Sequence, residues 1–245
     1  MMLNLLENPT QIKDLLPFMI ALSDPNLTIS WDIEDLFLWT AYEEKAFDFK
    51  TTLTPVVDYV LGRCFTFNHY NGSIFYKRRG AGNQGGLKVV MLNREGETFA
   101  WEEQAGLMFF IHAIGEAIVV ESPRYNAKPG YETTVYVTWV RRRKSADQYC
   151  ILLAIALNFS YTHESTRIFE GCFSACYQDR VFEACGCMDP TYPFKANVPL
   201  CQLTSRSCVE AVGALGDPSQ WDACVCPLPC QNEDYEATYT MTPFV

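Results

Sequence analysis

Apolar residues recur along this chain with two periods, and the change between them marks out its elements. Between Trp31 and Phe49 the spacing is roughly helical: Trp31, Leu36, Phe37, Tyr42 and Phe47 recur, with Asp32, Glu34, Asp35, Glu43 and Glu44 between them. This stripe predicts one amphipathic helix over 31–49, capped by Ser30 and packed on a sheet. Residues 1–30 carry little pattern and are broken by Pro9, Pro17 and Pro25. From Val56 the period becomes two. The stretch 64–68 alternates and runs into Asn71-Gly72, a hairpin signal, with 74–76 as the return strand. Further strands are expected at 86–92, 106–113 and 118–121, with turns at Ser122-Pro123 and Pro129-Gly130. The clearest strand is 131–140. It puts Thr134, Tyr136, Thr138 and Val140 on one face and Thr133, Val135, Val137 and Trp139 on the other. Helical period returns at 165–185, stopped by Gly186, and at 204–215, stopped by Gly216 and Asp217-Pro218. Tyr235, Ala237, Tyr239 and Met241 then alternate as a last strand. Strands thus flank a helical stretch, which makes the class α+β.

Cysteine changes the picture most. Of 11 cysteines, only Cys64 lies outside the stretch from Cys150 to Cys230. That stretch holds Cys172 and Cys176, then Cys185-Gly186-Cys187, then Cys201 and Cys208, then Cys224-Val225-Cys226 and Cys230. Zinc sites favour pairs with two to four residues between the cysteines. Cys-x-Cys is tighter than that, and His163 is the only histidine nearby, so no metal is expected. Disulfides are the better reading, and they belong to an oxidising compartment. The sequons at Asn26, Asn71 and Asn158 agree with it, while Asn8-Pro9-Thr10 is excluded by its proline.

Counting does not fix the pairing, but geometry narrows it. Cys172 and Cys176 lie one helical turn apart on one face. The two cysteines of a Cys-x-Cys strand lie about 7 Å apart on one face. Laid antiparallel, the two surfaces match. That pairs Cys172 with Cys226 and Cys176 with Cys224. The same logic pairs Cys185 with Cys208 and Cys187 with Cys201, and leaves Cys150 with Cys230 to close the base. Each loop is nested in the next, and Cys64 stays unpaired.

Composition sets the remaining bounds. The chain is 49% hydrophobic and 14% aromatic, ample for a packed core rather than disorder. Its net charge of -10 disfavours nucleic acid as a partner. The start of the chain lacks the basic n-region of a signal peptide, and no stretch reaches the ~18–20 apolar residues that cross a bilayer. An oxidised chain with no visible route to that compartment is expected to be part of a larger membrane protein, with the partner of Cys64 elsewhere. Catalysis is not expected. The glycine loop 80–86 lacks the Lys-Ser/Thr of a phosphate cradle, and His69, His112 and His163 stand beside no nucleophile motif. No cofactor is implied. The basic run 141–144 reads as a solvated strand end.

The run Gly171-Cys172, Cys176-Tyr177-Gln178, Cys185-Gly186-Cys187, Asp189-Pro190, Pro193, Cys201, Cys208 and 224–230 resembles the degenerin, epithelial sodium channel and acid-sensing channel family. Gly62-Arg63-Cys64-Phe65-Thr66-Phe67-Asn68 and Gly86-Leu87 with Leu92 extend the likeness over 56–241. The resemblance implies a palm sheet of mixed strands, a disulfide-cross-linked helical thumb, and inserted finger and β-ball segments. It implies a finger-like segment over 1–55, palm and β-ball strands over 56–148, a thumb over 149–230 and a return palm strand over 231–245. It further implies an extracellular domain at the plasma membrane, sibling subunits in a homo- or heterotrimer, and an amiloride-sensitive pore for sodium ions. An external ligand or matrix could supply the stimulus. The cysteine matching Cys64 has its partner just after a membrane helix in that family. Acid-sensing relatives carry tryptophan before the cysteine matching Cys150, where this chain has Asp147-Gln148-Tyr149. After Cys208, Val209-Glu210-Ala211-Val212 keeps a single carboxylate. These departures argue against an acidic proton-sensing pocket, and the pattern Gly171-Cys172-Phe173 with Cys185-Gly186-Cys187 and Asp189-Pro190 looks closer to the degenerin branch, which implies mechanical or ligand gating. The other class of function is a soluble, secreted binding module without a pore.

Overall fold

The computed structural model describes residues 17–18, 31–58, 60–72, 74–79, 85–93, 106–114, 118, 122–143, 169–195, 197–226 and 231–244. Asp32, not Ser30, opens the first element among residues 31–58. Its carboxylate accepts from the Ile33 N–H at 2.8 Å, and the Asp35 carboxylate accepts from the Asp32 N–H at 3.3 Å. This reciprocal cap starts α1 (Ile33–Leu36), which stops after four residues. Phe37–Tyr42 is strand β1, so the helix expected over 31–49 is corrected here. The sequence Phe-Leu-Trp-Thr-Ala-Tyr is aromatic and β-branched, and pairing with another strand outweighs the helical stripe. Glu43 and Glu44 have φ of 46° and 69° and turn the chain into β2 (Lys45–Ala46). A two-residue loop with two positive φ values matches the right-handed strand twist.

After α2 (Phe49–Thr52), capped by Asp48, β3 (Thr54–Asp58) and β4 (Gly62–Thr66) form a hairpin. The Asp58 carboxylate holds their turn by accepting from the N–H groups of Val60 and Leu61. The return strand expected at 74–76 does not pair with β4. Instead the Asn68 side chain accepts from the Tyr76 N–H at 2.9 Å and donates to the Tyr76 carbonyl at 2.8 Å. One amide thus stands in for a ladder. β5 (Leu87–Met91) pairs with the other edge of β1, giving the order β2-β1-β5.

The aromatics behind the helical stripe meet in space from several elements. Phe37 stacks on Phe49 at 5.8 Å and meets Phe65 edge-on at 5.4 Å. Tyr42, Phe47, Phe67 and Tyr76 form a second cluster, with Tyr42 to Tyr76 at 5.1 Å.

β6 (Leu107–Phe110) and β7 (Arg124–Ala127) pair antiparallel. Ile118 is in no strand, and the rest of the strand expected at 118–121 lies outside the described residues. β8 (Tyr131–Arg143) precedes α3 (Phe169–Cys185) and α4 (Arg206–Gly213), and β9 (Gln231–Pro243) follows them. β8 and β9 form one antiparallel ladder from Tyr131↔Pro243 to Arg143↔Gln231. Its register sets Thr133, Val135, Val137 and Trp139 opposite Met241, Tyr239, Ala237 and Tyr235, an apolar face. The opposite face sets Thr134, Tyr136 and Thr138 against Thr240, Thr238 and Glu236.

The class is α+β. Among the described residues the strands lie in separate antiparallel sheets rather than in one mixed sheet. The best-buried apolar cluster is elsewhere, between α3 and α4, where Val181, Cys187, Cys201, Val209 and Val212 pack with Phe18.

Candidate functional site: a disulfide-laddered helical unit

α3 explains itself once its inward face is read. Gly171, Ser174, Ala175, Gln178 and Val181 are buried at helical spacing. Small and polar residues dominate this face, so neighbouring backbone comes close and the apolar stripe is faint. Gly186 ends the helix with φ of +71°, a left-handed position where a β-carbon is strained, and its N–H bonds the Phe182 carbonyl at 2.9 Å. The chain doubles back. Met188 N–H donates to the Pro199 carbonyl at 2.9 Å, and Cys201 N–H to the Met188 carbonyl at 2.7 Å.

Gln178 ties this returning loop to the helix. It is fully buried. Its carbonyl oxygen accepts from the Asp189 N–H at 2.9 Å. Its amide nitrogen faces the carbonyls of Asp189 at 2.8 Å, Pro193 at 3.1 Å and Tyr192 at 3.2 Å. Asp189 is 4% exposed. Its carboxylate accepts from the Tyr177 hydroxyl at 3.0 Å, the Thr191 N–H at 2.9 Å and the Thr191 hydroxyl at 2.6 Å. Burial, then the nearby Asp189 charge, push the Tyr177 hydroxyl well above its ordinary pKa, so it remains a donor. Polar groups this deep need every partner, and this network supplies them.

Four disulfides lock the arrangement. Cys172 is bonded to Cys226, Cys176 to Cys224 and Cys185 to Cys208, each with Cα atoms 5.9 Å apart, and Cys187 to Cys201 at 4.9 Å. These four pairs are the ones expected from cysteine spacing, but neither Cys224-Val225-Cys226 nor Cys185-Gly186-Cys187 lies in a strand: the first follows a turn, and the second begins at the last residue of α3. The bonds are nested, with sequence separations of 54, 48, 23 and 14. Asp217-Pro218 opens the turn that delivers Cys224. The Asp217 carboxylate accepts from Ser219 N–H at 2.8 Å, Trp221 N–H bonds the Pro218 carbonyl, and Cys224 N–H bonds the Trp221 carbonyl. The Ser219 contact holds the Asp217 carboxyl below the usual range. In α4, Val209 and Val212 are core residues, 5% and 4% exposed, and Glu210 pairs with Arg206 at 2.7 Å. Packing therefore occupies two of the positions after Cys208.

The remaining sequence candidates scatter. Cys150, Cys230, Asn26, Asn158 and His163 lie outside the described residues. Asn71 sits exposed on the turn closed by the Gly72 N–H to the His69 carbonyl. A β-carbon on Gly72 would lie 2.9 Å from that carbonyl oxygen, so the turn requires glycine. Cys64 is unpaired in β4, opposite Val56. Burial first, and the Asp58 charge second, push its thiol up to about 11. His69 stacks near Tyr70, and His112 contacts the Ala113 carbonyl. Among the described residues no group of three His, Cys, Asp or Glu is placed to hold a metal ion. The roles of Tyr177, Gln178 and Asp189 leave little local mark in the sequence. The signal was a glutamine at a core position of a helix, three residues before a buried valine.

The unit is thus a pair of helices and their connecting loops, braced by nested disulfides and a buried hydrogen-bond network. Comparison with known proteins agrees. The family model described as amiloride-sensitive sodium channel matches residues 7–245, and the chain belongs to that family. It is similar to degenerin mec-10 of Caenorhabditis briggsae, 26% identical over 238 residues, covering 94% of this chain and 33% of that protein. It is also similar to degenerin deg-1 of Caenorhabditis elegans, 25% identical over 244 residues (94% and 31%). With degenerin-like protein unc-105 of Caenorhabditis elegans it shares 27% identity over 230 residues (87% and 26%). The chain spans about a third of the length of the curated relatives it matches. No helix among the described residues is long and apolar enough to cross a membrane.

Proposed function

We propose that this chain is the extracellular domain of a degenerin-type sodium channel subunit, and that its cross-linked unit is a stiff lever. In this reading the stretch 149–230 is the thumb, 56–148 and 231–245 supply palm strands, and 1–55 contributes to a finger. The lever acts on a trimeric sodium pore built with sibling subunits from membrane helices. Asn26, Asn71 and Asn158 carry glycans on the outer face of the plasma membrane. A ligand or matrix outside the cell supplies the stimulus.

One observation carries the reading beyond family membership. The whole unit is inserted between Arg143 and Gln231, which face each other at one end of the β8–β9 ladder. In the proposed lever the unit is joined to that end of the ribbon and moves it as a whole. The test uses the longest product of the gene that carries this sequence, expressed with degenerin partners. Replacing Cys176 and Cys224 together by serine is expected to preserve surface delivery and to blunt the change in amiloride-blocked sodium current under membrane stretch. Normal surface delivery with unchanged gating overturns the lever.

A further inference from the structure

The four disulfides of the cross-linked unit differ in their surroundings. Cys187 and Cys201, bonded to each other, are 7% and 0% exposed, and Cys224, at 6%, buries one end of its bond to Cys176. Cys172 and Cys226 are half-buried, as are Cys185 and Cys208, so burial alone does not single out one bond. The cleft between the helices does. Cys208 lines this open cleft of about 460 Å³, with Arg180, Glu183 and Ala184 of α3 and Ala211 of α4. Cys185, at the other end of the bond, packs against the apolar cluster that includes Val181, Val209 and Val212. The bond thus runs from an open cleft to a core. A thiolate opens a disulfide by reaching one of its two sulfurs, and the rate follows access. The cleft offers the Cys208 end, and its volume is that of a small-molecule site. The buried Cys187–Cys201 bond closes a loop of separation 14 inside the 23 spanned by Cys185 and Cys208. It keeps the two ends together when the outer bond opens, so the freed thiols stay at high effective concentration and can close again.

We propose that Cys185–Cys208 is a reversible thiol–disulfide exchange site, and that the cleft seats the small thiol that opens it. The thiolate attacks the Cys208 sulfur from the cleft. A new sulfur–sulfur bond forms there, the bond to Cys185 breaks, and Cys185 leaves as a thiolate that takes a proton from solvent. A second molecule of the small thiol, as its thiolate, attacks the mixed disulfide and releases Cys208, which is protonated in turn. Two small thiols are oxidised to one disulfide, and the protein disulfide is reduced to two thiols. Among the four described bonds this one joins α3 directly to α4, so its opening loosens α4 while Val209 and Val212 keep that helix docked. No step needs a pore, so this proposal and the lever reading fail separately.

Peptide mapping tests it on the full 245-residue chain, made through an oxidising secretory route. The chain is treated with reduced glutathione, quenched in acid and alkylated. Cys185–Cys208 is expected to open roughly tenfold or more faster than the three other described bonds. The first glutathione adduct sits on Cys208, and the first alkylated thiol is Cys185. Oxidised glutathione then restores the bond. Ala211→Trp, at an exposed position lining the cleft, is expected to slow the opening of this bond roughly tenfold and to leave the others unchanged. Ala184→Trp, on the facing helix, decides the case if the first variant is not secreted. Earlier opening of any other bond overturns the proposal. Simultaneous opening of all of them does too, since that marks unfolding, and so does resistance of every bond. A first adduct on Cys185, or an unchanged rate in the tryptophan variants, overturns entry through the cleft. Failure of the bond to re-form overturns its reversibility.

Discussion

At the scale of single residues, Gln178 does the most with one side chain. Replacing it by leucine leaves the Asp189 N–H and several carbonyls without their partner in a site that water does not reach. The expected loss is about 2–4 kcal/mol, from several unsatisfied buried groups. Tyr177→Phe removes one donor from a carboxylate that keeps two contacts to Thr191, so about 1 kcal/mol is expected. Urea unfolding of both variants checks the ranking, and a tyrosine variant at least as damaging as the glutamine variant would refute it. Cys64 gives a prediction in pH. Its thiol is pushed from 9.0 to about 11. The folded state therefore holds the proton more tightly than the unfolded chain. The stabilisation is complete below pH 9 and is lost as pH rises toward about 11. Alkylation of the folded chain by iodoacetamide should keep accelerating up to pH 11, whereas a plateau near pH 9 would show an exposed thiol. The four described disulfide pairs and Cys64's place in a strand match what the sequence leads one to expect, because cysteine spacing is a geometric statement, while the expected bond of Cys150 with Cys230 lies outside the described residues. The role of Gln178 was not, because a buried glutamine is justified only by carbonyls that arrive 11 to 15 residues later in the chain.

At the scale of elements, the helix expected over 31–49 shows where periodicity misleads. Trp31, Leu36, Phe37, Tyr42 and Phe47 satisfy a helical stripe, yet Phe37 and Tyr42 are used by a strand and Phe47 follows a hairpin. Short strands joined by a two-residue turn put apolar residues about as far apart as helical turns do. The turn itself was hidden, because Glu43-Glu44 lacks the Asn-Gly signature of two positive φ values. That mismatch predicts a gain. Glu44, at φ 69°, is free of the carboxylate contact that Glu43 makes with the Arg79 N–H. Glu44→Gly is expected to stabilise the chain by about 0.5–1 kcal/mol by relieving a left-handed residue. A lower thermal midpoint would show that the turn is not strained. Strands 131–140 and 235–241 were read correctly by face, and they are the regular, amphipathic ones. The long ladder they form was not legible, because pairing across the intervening unit leaves no local mark.

At the scale of the whole molecule, the chain divides into a body that disulfides hold and a ribbon that only hydrogen bonds and side chains hold. Each disulfide contributes roughly 2–4 kcal/mol by restricting the unfolded chain, though nested bonds do not add. Among the described residues no disulfide lies within the ribbon. β8 and β9 are 13 residues each, about 40 Å at the rise of a strand. They run from Arg143 and Gln231 at one end to Tyr131 and Pro243 at the other. A displacement at one end reaches the other only if the ladder stays registered along its length. Thr238 lies near its middle, opposite Tyr136. Thr238→Pro breaks the ladder there, since proline fixes φ and removes a donor. The expected outcome has two parts. Hydrogen exchange rises throughout β8 and β9 while α3, α4 and the four disulfide pairs are unchanged. On the proposed lever reading, a channel that carries this chain also loses its response to stimulus although subunits still reach the surface. If exchange rises equally in α3 and α4, body and ribbon form one cooperative unit, and motion of the unit is not passed along a separable ribbon. If the ladder opens and gating is untouched, the stimulus reaches the pore by another path.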